Sequence, residues 1–188
     1  MSSSQAPRAG DLLIATAGSG AGFFDQSCVL LLDCDQTGSL GVALNKLTDT
    51  AVGEVLPGWD EVVTPPALLF AGGPVSPNGA ICVAKVANPG EEPPGWRPVR
   101  RDLGLLHLDT PIELVASTYT GLRVYAGYSG WESGQLEDEL ERGQWFRTRA
   151  RDEDIFSLDC AGMWRRNLRR LGGMASLLST WAADPSRN

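Results

Sequence analysis

The stretch GYSGWESGQLEDEL, Gly127 to Leu140, constrains the fold more than any other part of the chain. The run from Leu122 to Tyr128 is apolar and aromatic enough to be a strand, and it ends in a bend through Ser129, Gly130 and Trp131. From Ser133 the spacing becomes helical. Leu136 and Leu140 lie four apart on one face, the helix can reach about Arg142, and Gly143 stops it. A strand that feeds an acidic helix through a glycine bend predicts strands and helices packed into one unit.

The rest of the chain agrees with that reading. Asp11 to Thr16, Cys28 to Asp33 and Leu40 to Asn45 are short apolar runs bounded by Gly, Asp and Ser, as strands are, with a hairpin turn at Gln36-Thr37-Gly38-Ser39. Ala67 to Ala71 and Ala80 to Val86 add two more, separated by the turn signals Gly72-Gly73-Pro74 and Pro77-Asn78-Gly79. Ala87 to Arg101, rich in Pro and Gly, has neither period and reads as a long excursion able to act as a flap. Thr110-Pro111-Ile112-Glu113 has the residue order of a helix start. Asp159 can cap a last helix in which Trp164, Leu168 and Leu171 recur at core spacing, before Gly172-Gly173 releases the chain. The expected architecture is α+β: a single domain, residues 10–183, with a mixed, largely antiparallel sheet able to curl toward a barrel and flanked by helices. Residues 1–9 form a disordered lead and 184–188 a tail.

At 188 residues and 43% hydrophobic, the chain suffices for one core. A net charge of −7 opposes contact with a phosphate backbone, so no direct nucleic-acid partner is expected. No apolar run reaches the roughly 18 residues of a membrane span, and the start lacks the apolar core of a signal peptide, so a cytoplasmic protein with no membrane association is expected. Cys28, Cys34, Cys82 and Cys160 are scattered, which favours reduced, buried thiols, with a thiol-sensing role for Cys28 or Cys34 left open.

Few motifs carry chemistry. Gly18-Ser19-Gly20-Ala21-Gly22 follows a strand but lacks the spacing of a phosphate loop, and reads first as a flexible connection. Asn45 and Lys46 leave a strand together, and an amide beside a cation can orient an anion or a carbonyl; an Asn bracing its own turn fits as well. Gly72-Gly73 can gather backbone N–H groups into an anion nest, although a tight approach to another strand is the stronger reading. Ser129, Gly130 and Trp131 precede the positive end of a helix, where Trp131 either roofs a ligand or plugs the core. Glu137, Asp138, Glu139 and Glu141 read as a solvated face, as do Arg165, Arg166, Arg169 and Arg170. With one histidine, His107, expected to pack in a strand, and no G-x-S-x-G elbow, nucleophilic catalysis is poorly supported. The same count excludes a histidine-rich metal centre but leaves a carboxylate site for magnesium open; no metal ligands are assigned, and nothing in the sequence names a cofactor or sets an oligomeric state.

Read together, LGVALNK (Leu40 to Lys46), FAGGPV (Phe70 to Val75) and GYSGWESGQLEDEL resemble the YqgE/AlgH-like bacterial family, over Gly10 to Gly172. The resemblance implies a shared architecture without an established activity. Phe23, Phe24 and Asp25 fall where family members carry an aspartate and a phenylalanine, and Asn45-Lys46 where they carry Asn and a basic residue. Glu132 and Ser133 replace the glycine and proline common in the family, which weakens an anion site at that helix start. Members are often labelled transcriptional regulators. This chain shows no helix-turn-helix with a basic face, so a regulatory role is expected to be indirect. The leading functional expectation is a module that holds a small polar or anionic ligand among Asn45, Lys46, Gly72, Gly73, Ser129, Gly130 and Trp131. The alternatives are a hydrolase or transferase with Asp25 as base at the same loops, and a structural or protein-binding role.

Overall fold

The computed structural model describes residues 6–17 and 22–180. Residues Met1 to Gln5 of the lead, Gly18 to Ala21 of the glycine-rich loop and the 184–188 tail lie outside the described residues. Ala6 and Ala9 are held through their carbonyls, which accept hydrogen bonds from Arg147 (2.8 Å) and Arg149 (3.2 Å).

Among the described residues ten strands form the sheet. They are β1 (Asp11–Ala15), β2 (Cys28–Asp35), β3 (Gly38–Ala43), β4 (Leu47–Ala51), β5 (Leu68–Ala71), β6 (Val75–Val86), β7 (Trp96–Arg100), β8 (Leu103–Leu106), β9 (Tyr119–Glu132) and β10 (Trp145–Arg149). The described helices are α1 (Val52–Val55), α2 (Gln135–Glu141), α3 (Asp152–Ile155), α4 (Met163–Leu171) and α5 (Gly173–Leu178). The main path runs β10-β1-β2-β3-β9-β6-β8-β7, with β4 and β5 added beside β9. Every pairing is antiparallel except β5 with β9, where Phe70 lies opposite Tyr125 and Ala71 opposite Ala126. The domain is α+β with a mixed, largely antiparallel sheet, as the sequence predicts.

The sheet curls into a half-barrel because its two end strands approach one another. Arg100 of β7 donates from Nη1 to the carbonyl of Ala150, just past β10, at 2.8 Å, and Arg97 of β7 pairs with Asp33 of β2 at 3.5 Å. Alternation along the strands then separates an inner face from an outer one. Leu12, Ile14, Leu30, Leu32, Val42, Phe70, Val83, Leu103 and Tyr125 fill the interior, closed by Met163, Trp164 and Leu168 of α4. Outside, Leu13, Val29, Leu31 and Ala43 lie under α2, while Cys82, Ala84, Leu122 and Val124 lie under the segment from Val52 to Val63. Each fully buried Leu of this kind contributes about 1.5–3 kcal/mol, so the two-sided burial of β1 and β2 makes them the centre of stability.

A charge sits inside this core. Arg123 of β9 is 1% exposed, donating to the carbonyls of Ile155 (3.0 Å), Ser157 (2.6 Å) and Pro65 (3.1 Å), with its guanidinium 4.5 Å from the Phe70 ring centre. It satisfies carbonyls at the end of α3 that no helix bond reaches.

Several expectations are corrected. The Ala87 to Arg101 excursion is not a free flap throughout, since β7 occupies its second half, paired to β8, with Trp96 buried and its indole N–H donating to the Ala84 carbonyl at 3.2 Å. His107 does not pack in a strand: it follows β8, with its side chain 70% exposed beside Asp109. The α4 arginines are not a solvated stripe, because Arg170 pairs with buried Asp154 at 2.7 Å and Arg166 with Asp159 at 2.8 Å, which leaves Arg169 outward. Gly172-Gly173 does not release the chain but turns it into α5, whose Ala175 is buried. The helix start at Thr110 becomes one 3-10 turn, Ile112–Leu114.

Candidate functional site

The residues singled out in the sequence fall into three places. The first is the point where the chain passes over β9. β5 lies on one side of β9 and β6 on the other, with Tyr125 facing both Phe70 and Ile81, so the chain from Ala71 to Val75 crosses the strand. Gly72 donates its N–H to the Ala126 carbonyl at 2.8 Å and accepts from Ala43 N–H at 2.8 Å. Buried Ser129 donates its hydroxyl to the Gly72 carbonyl at 3.0 Å. A Cβ on Gly73 would overlap the backbone of Tyr128. Gly127, at φ +69°, would place a Cβ 2.6 Å from the Gly73 carbonyl oxygen. The glycines of FAGGPV and GYSGW are therefore each other's reason: two backbones cross there with no side chain between them.

The second place is a polar recess of about 270 Å³ lined by Asp25, Gln26, Asn45, Lys46, Cys160, Ala161 and Trp164. Asn45 is its brace. Its Oδ1 accepts from Cys28 N–H at 2.9 Å and its Nδ2 donates to the Gln26 carbonyl at 2.9 Å, fixing the segment ahead of β2 to the end of β3. Gln26 holds a left-handed φ of 53°, a conformation costing about 1 kcal/mol for a residue with a side chain. Half-buried Lys46 donates from Nζ to the Asp25 carbonyl at 2.6 Å. Burial lowers its ammonium below the ordinary lysine value, and the Asp25 carboxylate pulls the other way. Trp164 forms a wall, pinned by its indole N–H to the Ala15 carbonyl at 2.8 Å. Burial raises the Cys160 thiol, so it is a poor nucleophile there.

The third place is an open groove of about 520 Å³ at the mouth of the half-barrel, to which Gly130 and Trp131 belong. Its floor is apolar, from Leu40, Val75, Ile81 and Leu105, and its rim carries Asp33, Asp35, Glu132 and Arg97. Trp131 is 6% exposed and buries most of its ring against Trp145 and Phe24.

Asp25, Asn45 and Lys46 thus share one recess, Gly130 and Trp131 lie in another, and Gly72, Gly73 and Ser129 line neither. The single recess expected from sequence divides because the glycine bends are consumed by the crossing. The expected helix N-terminus also changes: β9 runs on to Glu132, α2 begins only at Gln135 and lasts seven residues, and its first turn carries Glu137 and Asp138. Sequence reasoning missed Gln26, Cys160 and Trp164, which reach the recess from elsewhere in the chain. Among the described residues no group of three or more His, Cys, Asp or Glu could hold a metal ion, and no helix is long and apolar enough to cross a membrane.

This architecture recurs in known proteins. Residues 12–176 match a family model described as AlgH-like. A UPF0301 protein of Streptomyces avermitilis is 42% identical over 182 residues, covering 95% of this chain and 94% of its own. One of Mycobacterium tuberculosis is 40% identical over 187 residues, covering 98% and 92%. The crystal structure of protein DIP2367 from Corynebacterium diphtheriae superposes with a TM-score of 0.88 at 28% identity, over 94% of each chain. The solution structure of the AlgH protein from Pseudomonas aeruginosa has a TM-score of 0.68 at 22% identity, over 98% of this chain and all of that one, and shares the fold. With a model spanning the domain and relatives at 40% identity along nearly its whole length, the chain belongs to the AlgH-like family.

Proposed function

We propose that the chain is a binding module that holds a small anionic ligand in the recess of Asp25, Asn45 and Lys46 without turning it over, and that any regulatory effect is indirect, through the occupied state. The observation that carries this reading is the Lys46 ammonium. It has three hydrogens, and among the described residues its hydrogen bond goes to one backbone carbonyl and its one carboxylate neighbour, Asp25, attracts it without closing a salt bridge. A half-buried cation is costly unless it is paired, so a carboxylate or phosphate oxygen in the recess recovers what burial takes away. The first turn of α4, reached through Ala161 and Trp164, adds its positive end to the same wall. At about 270 Å³ the space lies just under the range of about 300–1,000 Å³ usual for ligand sites, so the ligand is a molecule of few carbons. The left-handed Gln26, held by Asn45, is the local strain that a binding site can store.

An NMR titration with succinate, lactate and inorganic phosphate tests it. Saturable shifts at Gln26, Asn45 and Cys160, abolished by Lys46→Met in a folded variant, support the proposal; no saturable shift with any of the three, or equal shifts in the variant, overturns it. A hydrolase or transferase reading draws on one fact, that Asp25 shares the recess with Lys46. Turnover of a small ester or phosphate, lost in Asp25→Asn, would favour it over simple binding.

A further inference from the structure

The groove at the mouth of the half-barrel is separate from the Lys46 recess, and we propose that it takes an extended segment of another protein in which apolar residues alternate with Lys or Arg. Three observations converge on that occupant. The floor of Leu40, Val75, Ile81 and Leu105 is apolar and half-buried to exposed. Its rim sets three carboxylates, Asp33, Asp35 and Glu132, against one guanidinium, Arg97, which already pairs with Asp33 at 3.5 Å with both side chains more than half exposed. A cationic partner is matched by that rim and an anionic one repelled.

The third observation selects an extended chain over a compact cation. β6 last pairs with β9 at Val75 opposite Tyr128, whereas β3 stays paired with β9 from Ser129 to Glu132. Along those four residues the side of β9 away from β3 has no strand neighbour among the described residues, and Gly130, Trp131 and Glu132 of this stretch line the groove. Along an antiparallel pair alternate residues direct N–H and C=O away from the partner, so the groove wall is an open strand edge up to Glu132, whose N–H already donates to the Gln135 side-chain oxygen at 3.0 Å. A segment laid against it gains main-chain bonds, drops every second side chain onto the floor and turns the others to the rim. Four to five residues span roughly 13–17 Å at the strand rise. Exposed Gly130 leaves the approach to the edge free of a side chain.

The test is an NMR titration of the whole chain with the acetylated, amidated pentapeptide Lys-Val-Lys-Val-Lys. Expected are saturable shifts at the amides of Gly130, Glu132, Ile81 and Leu105, weakening with added salt. Affinity should fall by about tenfold or more in the double variant Asp35→Lys/Glu132→Lys, whose sites are exposed and leave the core intact. Val75→Asp, on an exposed floor residue, should weaken binding while the fold is kept. The peptide with Glu in place of Lys should not bind. Shifts confined to other surfaces, binding unchanged by the charge reversal, spermidine competing as well as the peptide, or no shift up to about millimolar peptide would each overturn the proposal.

Discussion

The indole N–H of Trp131 donates to the Glu139 carboxylate at 2.8 Å, and the oxygen it reaches also accepts the indole N–H of Trp145 at 2.8 Å. Trp131 lies one residue before the end of β9 and Trp145 begins β10, so one carboxylate on α2 ties the helix to two strands that are not neighbours in the sheet. Phe24 packs tilted against Trp131 and edge-on against Trp145, 6.3 and 5.6 Å between centres, and completes an aromatic lid over Leu13, Val29 and Leu31. Trp131 therefore acts chiefly as the plug of the outer core, and Glu139 is the one acid of α2 with a structural task.

Glu139→Ala leaves two largely buried indole donors without an acceptor, at about 1–3 kcal/mol each, so it is expected to cost about 2–6 kcal/mol. Glu139→Gln keeps an acceptor oxygen and should lose no more than half of that. Chemical denaturation followed by tryptophan fluorescence reads both. Equal stability of the alanine variant and the parent would show that the lid stands on ring packing alone.

The crossing of the β5–β6 connection over β9 separates two glycines of one motif. Gly127→Ala combines a positive φ with a clash against the Gly73 carbonyl and should destabilise by more than about 2 kcal/mol. Gly130→Ala, three residues on, places its Cβ in ordinary contact, 3.5 Å from the Tyr128 ring, and should stay within about 0.5 kcal/mol. Thermal unfolding of the two variants side by side is sufficient, and a tolerated Gly127→Ala would remove the crossing as the reason for the glycines.

Local signals made β1, β2, β3, β5 and the cores of β6 and β9 legible, since each has an apolar run ended by Gly, Asp or Ser. β4 and β10 were not, because LTDTA and WFRTR carry polar residues that make sense only once Leu47 faces Phe70 and Trp145 faces Ala15. β7 hid behind its proline, which sits on an edge strand where no second partner needs its N–H. From sequence the three family blocks suggest one ligand recess, whereas in the fold two of them explain each other sterically. Their mutual fit is a long-range contact, and nothing within either block shows it. Arg123 was silent for the same reason: its acceptors at Pro65, Ile155 and Ser157 are at least 32 residues away in sequence.

The thiols should differ sharply in reactivity. Burial pushes the Cys28 thiol up to about 12, aided by Asp154, and burial raises Cys82 further. At pH 8 a thiol titrating near 12 is ionised to about one part in ten thousand, and only the thiolate attacks. Half-buried Cys34 is raised less severely. Iodoacetamide should modify Cys34 first, Cys160 slowly, and Cys28 and Cys82 only in denaturant, as read by mass spectrometry of peptides. Early modification of Cys28 would show that β2 opens in the native state.

Lys46 gives the recess a pH signature. Burial lowers its ammonium below 10.5, so between the folded and unfolded values the unfolded chain binds more protons, and stability rises with pH through that window. Below the folded value the ammonium is charged in both states and its burial cost is paid in full. Lys46→Met removes the group, so the stability difference, variant minus parent, should be largest at neutral pH and shrink as pH climbs toward 10.5. Other groups titrate at alkaline pH in both proteins and cancel in the difference. Anion binding runs the opposite way, because the ligand needs the charged form: succinate affinity should be flat near neutrality and fall below pH 10.5, earlier than a surface lysine would permit. Denaturation midpoints and succinate titrations from pH 7 to about 10.5 measure both slopes. A stability difference that does not change with pH would mean that the Lys46 charge is fully hydrated, and a recess that leaves its lysine hydrated has no call for an anion.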